Sequence, residues 1–78
     1  MFTKINYEGS IQAQYNTLAT QLDALLTGES DQIANLSNAS ALLNVFLSDI
    51  NWVGFYVMKE GELVLGPFQG LPACVRIP

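Results

Sequence analysis

The residue best suited to chemistry in this sequence is Cys74, the one cysteine among 78 residues. It follows a proline-containing loop and stands near the start of a predicted strand. Alternation along that strand places Cys74 and Arg76 on the same face, where a guanidinium would favour the reactive thiolate. Cys74 is therefore a candidate redox thiol. The same pattern also fits a small buried hydrophobic residue, the commoner fate of a free cysteine.

Trp52 and Tyr56 form a second candidate site. They lie on the same face of a predicted strand, with the small Gly54 between them. Two rings on either side of a glycine would form an apolar slot with a hydroxyl at one end, suited to a thioether methyl group. Ordinary packing of aromatic residues in a small sheet is the alternative interpretation.

The elements that must position these residues follow from the hydrophobic pattern. Apolar residues at spacings of three and four predict helices over residues 10–27 and 31–48. Aromatic and β-branched runs predict strands over residues 52–58, 62–66 and 73–78, and Pro67 is expected to end or bend the second strand. Helices followed by an antiparallel meander predict an α+β fold, with two N-terminal helices packed on the sheet of one partial domain, residues 1–78.

Composition excludes several classes of function. The net charge is −4 with three basic residues, so a nucleic-acid binder and a protein of anionic membrane surfaces are not expected. No apolar stretch approaches the roughly 20 residues that span a bilayer, and the N-terminus does not resemble a secretion signal. A cytoplasmic protein is expected. One cysteine and no histidine leave no Cys–His nucleophile pair and no metal cluster.

Four runs along the chain carry a family resemblance: IANLSNASALL (33–43), NWVGFY (51–56), GELVLGPFQG (61–70) and PACVRIP (72–78). Together they resemble the N-terminal half of the free methionine-(R)-sulfoxide reductases, which are cytosolic GAF-domain enzymes. The resemblance covers nearly all of the chain and about half of a complete family member. It implies a GAF-like fold, incomplete at its C-terminus.

The resemblance also implies a role for each candidate residue. In that family a catalytic cysteine reduces free L-methionine (R)-sulfoxide, a second cysteine closes a disulfide with it, and thioredoxin reduces the disulfide without a bound cofactor. Cys74 matches the resolving cysteine by position, and Trp52 and Tyr56 match residues around the methyl-sulfur end of the substrate. The resemblance places the catalytic cysteine and the acidic substrate ligands downstream of residue 78, so this chain would supply only part of an enzyme.

Two other functional hypotheses remain beside the enzyme. One is a GAF-type module that binds a small ligand without chemistry. The other is an inactive fragment that associates with itself through an open sheet edge, whose unpaired N–H and C=O groups readily pair with other chains. A homodimer is also expected, from the uncharged polar face of the second helix and from the habit of the family.

Overall fold

The computed structural model describes residues 6–78, so the first five residues of the predicted domain lie outside the described part. The elements in chain order are α1 Ile11–Leu26, α2 Gln32–Phe46, β1 Trp52–Lys59, β2 Glu62–Gly70 and β3 Arg76–Ile77. The strands form one antiparallel sheet in the order β1-β2-β3, which confirms the predicted α+β class. Within residues 6–78, no helix has the length and apolar character needed to cross a membrane.

Side-chain caps fix where both helices begin. The Ser10 hydroxyl accepts a hydrogen bond from the backbone N–H of Ala13 at 3.1 Å. The Asp31 carboxylate accepts one from the N–H of Ala34 at 2.8 Å. Such caps satisfy backbone donors that the first helical turn leaves free. The observed helices are slightly shorter than the predicted ranges because those ranges included capping residues.

The helices form two layers over the sheet. α1 packs against α2, and α2 lies against β1 and β2. The buried residues of the described chain are all helical: Leu18, Gln21, Ala39, Ser40 and Leu42. Ser40 is fully buried, and its single hydroxyl proton is shared between the carbonyls of Leu36 at 2.9 Å and of Pro67 at 3.1 Å. This side chain therefore connects the buried face of α2 directly to the backbone of β2.

A tight turn joins β1 to β2. Glu60 and Gly61 have φ values of 49° and 84°, and Lys59 pairs with Glu62 across the turn. Two successive residues with positive φ are typical of the two-residue hairpin turn whose twist matches that of the flanking strands. The turn confirms the predicted antiparallel connection between the first two strands, and it fixes their register as far as the irregularity between Gly54 and Tyr56.

The predicted end of the second strand at residue 66 is wrong, since β2 continues through Pro67 to Gly70. Gly54 pairs with Phe68 and Tyr56 pairs with Leu65, so β2 has one more residue than β1 in this stretch. The irregularity is a β-bulge, one of the few places where a sheet accommodates a proline. Pro67 therefore lies at the bulge and does not end β2.

The third strand is shorter than predicted. The sequence predicts a strand over residues 73–78, whereas β3 is Arg76–Ile77. The Leu65 N–H donates to the Val75 carbonyl at 2.8 Å. The next backbone position of β2 on that edge is Pro67, which has no N–H to donate. The hydrogen-bonded pairing of β2 with β3 cannot continue beyond Pro67, so residues 72–74 form a loop instead of a strand.

Candidate functional site

Three aromatic side chains stack along one face of the sheet, and we call Trp52, Tyr56 and Phe68 the aromatic ladder. The Trp52 and Phe68 ring centroids are 5.4 Å apart with an interplanar angle of 16°. Those of Trp52 and Tyr56 are 6.2 Å apart at 27°. All three side chains are partly exposed. Their stacking gives the sheet a continuous aromatic surface.

The predicted slot between Trp52 and Tyr56 is closed. Cα atoms four positions apart in a strand are separated by about 13 Å, so rings only 6.2 Å apart lean toward each other above Gly54. A methyl group between two rings needs about 7–8 Å, twice the usual contact distance between carbon atoms. A small apolar ligand can therefore contact the ladder from outside but cannot enter between these two rings.

Cys74 lies in the loop before β3, and it is exposed and unpaired by any disulfide. The alternation argument for its orientation does not apply, because the residue is outside the strand. The Tyr56 hydroxyl nevertheless donates a hydrogen bond to the Cys74 backbone carbonyl at 2.7 Å. The structure thus brings all three predicted site residues together: Trp52 stacks on Tyr56, and Tyr56 holds the backbone of Cys74.

Arg76 has a different partner from the one expected. Its guanidinium lies 2.7 Å from the Glu62 carboxylate, across the β2–β3 pair, in an ion pair open to solvent. The sequence predicts Arg76 on the same strand face as Cys74, where it would stabilise a thiolate. The structure assigns its charge to Glu62 instead, because β3 begins only at Arg76 and Cys74 lies in the preceding loop.

One donor of the ladder is left without a partner. The Trp52 indole Nε1 is buried, and it finds no hydrogen-bond acceptor among residues 6–78. Buried polar groups are nearly always paired, so an unpaired one requires an explanation. Within residues 6–78 the indole N–H of Trp52 is therefore a buried donor left unsatisfied.

A separate groove lies between the two helices. It has a volume of about 200 Å³ and is lined by Leu25, Asn38, Ala41, Leu42 and Val45. The lining is apolar apart from one amide and contains no titratable or nucleophilic side chain. The groove therefore offers a packing surface, whereas the ladder and the Cys74 loop offer chemistry.

Comparison with known proteins identifies the family. No protein-family model matches the chain. Protein YtsP of Bacillus subtilis is 56% identical over 80 residues, covering 100% of this chain and 49% of its own length. The free methionine-R-sulfoxide reductase of Escherichia coli is 55% identical over 64 residues, covering 82% of this chain and 39% of that protein. The chain is a homologue of the free methionine-R-sulfoxide reductases.

Solved structures support the same relationship. The free methionine-R-sulfoxide reductase (fRMsr) of Staphylococcus aureus, solved in complex with its substrate, aligns with a TM-score of 0.82 at 49% identity. The alignment covers 95% of this chain and 46% of that one. A GAF-domain structure aligns with a TM-score of 0.71 at 42% identity over 80% of this chain and 39% of the other. The GAF-like fold is confirmed. The chain spans about half the length of the fRMsr relatives that it matches.

Sequence reasoning missed Phe68 as a part of the aromatic ladder. Pro67 suggested that the strand ends before position 68, which would place Phe68 in a loop. In the structure Phe68 pairs with Gly54 and stacks on Trp52. The signal that could have found it is Gly54, because a glycine within a strand often marks a close approach of another chain segment.

Proposed function

We propose that this chain forms the N-terminal part of a reductase that converts free L-methionine (R)-sulfoxide to L-methionine. The observation that carries the proposal is the connection of the aromatic ladder to an exposed free cysteine through the Tyr56–Cys74 hydrogen bond. The identity to the Escherichia coli reductase supports it, since 82% of this chain aligns with that protein.

The reaction that we propose has three balanced steps. A catalytic cysteine, supplied from outside these 78 residues, attacks the sulfoxide sulfur. The oxygen passes from the substrate sulfur to the cysteine sulfur as the S–O bond and the transient S–S bond break. Methionine leaves reduced by two electrons, and the cysteine is oxidised to a sulfenic acid. The Cys74 thiol then attacks that sulfenic sulfur, forming a disulfide and releasing water. A thioredoxin dithiol reduces the disulfide, which restores both thiols and leaves thioredoxin oxidised.

The described residues suit two parts of this scheme. The ladder offers an aromatic surface to the methyl-sulfur end of the substrate, and contacts between sulfur and aromatic rings are favourable. We assign this contact to Trp52 and Tyr56, on the outer side of the stack, since the space between their rings is closed. Cys74 suits the resolving step because it is exposed on a loop, where a partner thiol or thioredoxin can reach it.

The direct experiment is a fusion of this chain to the second half of the Escherichia coli reductase. The fusion should consume the R epimer of free L-methionine sulfoxide with thioredoxin as reductant and leave the S epimer unchanged. Equal rates with both epimers would contradict the proposal. Cys74→Ser should slow thioredoxin-dependent turnover while the first release of methionine in a single turnover persists. An unchanged steady-state rate would remove Cys74 from the resolving role.

A binding module without chemistry is the second candidate. It is favoured by the single cysteine of these 78 residues and by the stacked ladder, which can bind an apolar group without any thiol. Calorimetry on this chain with methionine, both sulfoxide epimers and cyclic nucleotides separates the candidates. Tight nucleotide binding would support a sensor, whereas binding restricted to the R sulfoxide would support the reductase. No binding by a folded chain would indicate an inactive fragment.

We also propose that the protein is a cytoplasmic homodimer. The reducing cytoplasm keeps a free cysteine such as Cys74 in the thiol form. The dimer is supported by α2, where Ile33 and Val45 are 59% and 48% exposed beside uncharged polar residues. Sedimentation of the chain and of a Val45→Glu variant tests it. A single species of about 8.5 kDa at every concentration would exclude the dimer.

A further inference from the structure

The loop that carries Cys74 is held from outside at two points. The Leu65 N–H donates to the Val75 carbonyl at 2.8 Å, and the Tyr56 hydroxyl donates to the Cys74 carbonyl at 2.7 Å. The pairing of β3 with β2 begins only at Arg76. Leu71 and Val75 are 79% and 63% exposed. Packing therefore does little to hold this loop, and the two hydrogen bonds largely set its position.

The two hydrogen bonds differ in kind. The bond from Leu65 is a backbone bond that extends the pairing of β2 with β3, and it depends only on that pairing. The bond from Tyr56 comes from a side chain whose ring stacks on Trp52 at 6.2 Å. Tyr56 therefore stacks in the aromatic ladder through its ring and binds the Cys74 loop through its hydroxyl. A ligand that displaces this ring must also strain or break the bond to Cys74.

We infer that Tyr56 is a positioning residue for Cys74. The Tyr56 hydroxyl fixes the loop, and it couples contact at the aromatic ladder to the placement of the thiol. The inference rests on the proposed function only for the identity of the ligand at the ladder. The hydroxyl contacts the backbone carbonyl of Cys74, so its effect is on where the loop lies. Loss of the hydroxyl should leave the ring stack in place and release the loop.

The change to Phe at position 56 tests this directly. Tyr56→Phe keeps the ring and removes the donor, and Tyr15→Phe is the matched control. Tyr15 lies on α1, where its ring contacts that of Phe46 at a tilt of 57°, and the residue is 49% exposed. The Leu65 amide reports on the loop, because its N–H is bonded to the Val75 carbonyl. Its hydrogen exchange in the 78-residue chain should be about fivefold faster in Tyr56→Phe, the change that one hydrogen bond of ordinary net strength produces. Tyr15→Phe should exchange like the unmodified chain.

A third variant isolates the hydrogen bond from any general weakening of the sheet. 4-Aminophenylalanine at position 56 restores a donor at the end of the ring. It should return the exchange of the Leu65 amide toward the unmodified rate, whether or not both variants lose stability elsewhere. Equal Leu65 exchange in the Phe and aminophenylalanine variants would overturn the inference. Because these measurements involve no sulfoxide or thioredoxin, their result is independent of whether the reductase proposal holds.

Discussion

A Cβ atom placed on Gly54 would lie 2.3 Å from the Cβ of Phe68. Real Cβ atoms never approach so closely, so any larger residue at this position must push the two strands apart. The missing side chain is what lets Phe68 cross over β1 and stack on Trp52. The aromatic ladder therefore depends on a glycine that has no chemistry of its own.

Gly54→Ala should destabilise the protein by about 1–3 kcal/mol, the usual cost of overpacking. The inserted methyl also meets backbone atoms of Phe68 and Pro67 at 2.8 and 2.9 Å, so the strands must move. Urea denaturation followed by circular dichroism measures the cost. Phe68→Gly removes the nearest clash, so Gly54→Ala should cost less in that background. Equal costs in the two backgrounds would show that the contact with Phe68 does not matter.

Ser40→Ala should lower the free energy of unfolding by about 1–3 kcal/mol, because it leaves the Pro67 carbonyl without the donor that α2 supplies. Ser37→Ala is the control, since Ser37 is on the same helix and exposed. It should change stability by less than about 0.5 kcal/mol. Chemical denaturation of both variants gives the comparison, and similar losses would argue against a bridge between α2 and the bulge.

The pH dependence of stability should show the burial of Tyr7. Its hydroxyl donates to Gln21, its ring packs edge-on against Phe46 at 4.7 Å, and burial raises the pKa of the Tyr7 phenol above its ordinary value of 10.0. Below pH 10 both states keep the proton. Above it the unfolded chain ionises first, so the free energy of unfolding should fall as pH rises. Denaturation between pH 8 and 11 should show a smaller fall in Tyr7→Phe than in Tyr15→Phe.

Glu62→Gln should have a small effect that salt removes. The ion pair with Arg76 is open to solvent, with side chains 36% and 59% exposed, so its contribution should not exceed about 1 kcal/mol. Thermal unfolding should show the loss at low ionic strength and little difference near 1 M NaCl, where charges are screened within about 3 Å. Glu60→Gln, in the exposed turn, should have no such salt dependence. A loss that persists at high salt would mean that Glu62 acts through packing.

The sequence predicted the elements well wherever local signals are strong. Apolar spacing located both helices, and the aromatic and β-branched runs located the strands. Trp52, Tyr56 and Cys74 were each predicted as candidate site residues, and the structure places them together. What could not be predicted depends on pairing between strands. The bulge at Pro67 carries β2 onward and brings Phe68 over Gly54. The pairing of β3 with β2 gives Arg76 a partner in Glu62.

The most direct test of the central claim, that the aromatic ladder contacts the substrate, is the kcat/KM of the fusion enzyme for the R sulfoxide when Trp52 is changed. Trp52→Leu should lower kcat/KM by about 10- to 200-fold, the range for lost apolar contacts in a binding pocket. Ile11→Ala, at a position that is 68% exposed on α1, is the control and should keep the original value. Circular dichroism must show that both variants fold. An unchanged kcat/KM in folded Trp52→Leu would contradict the account.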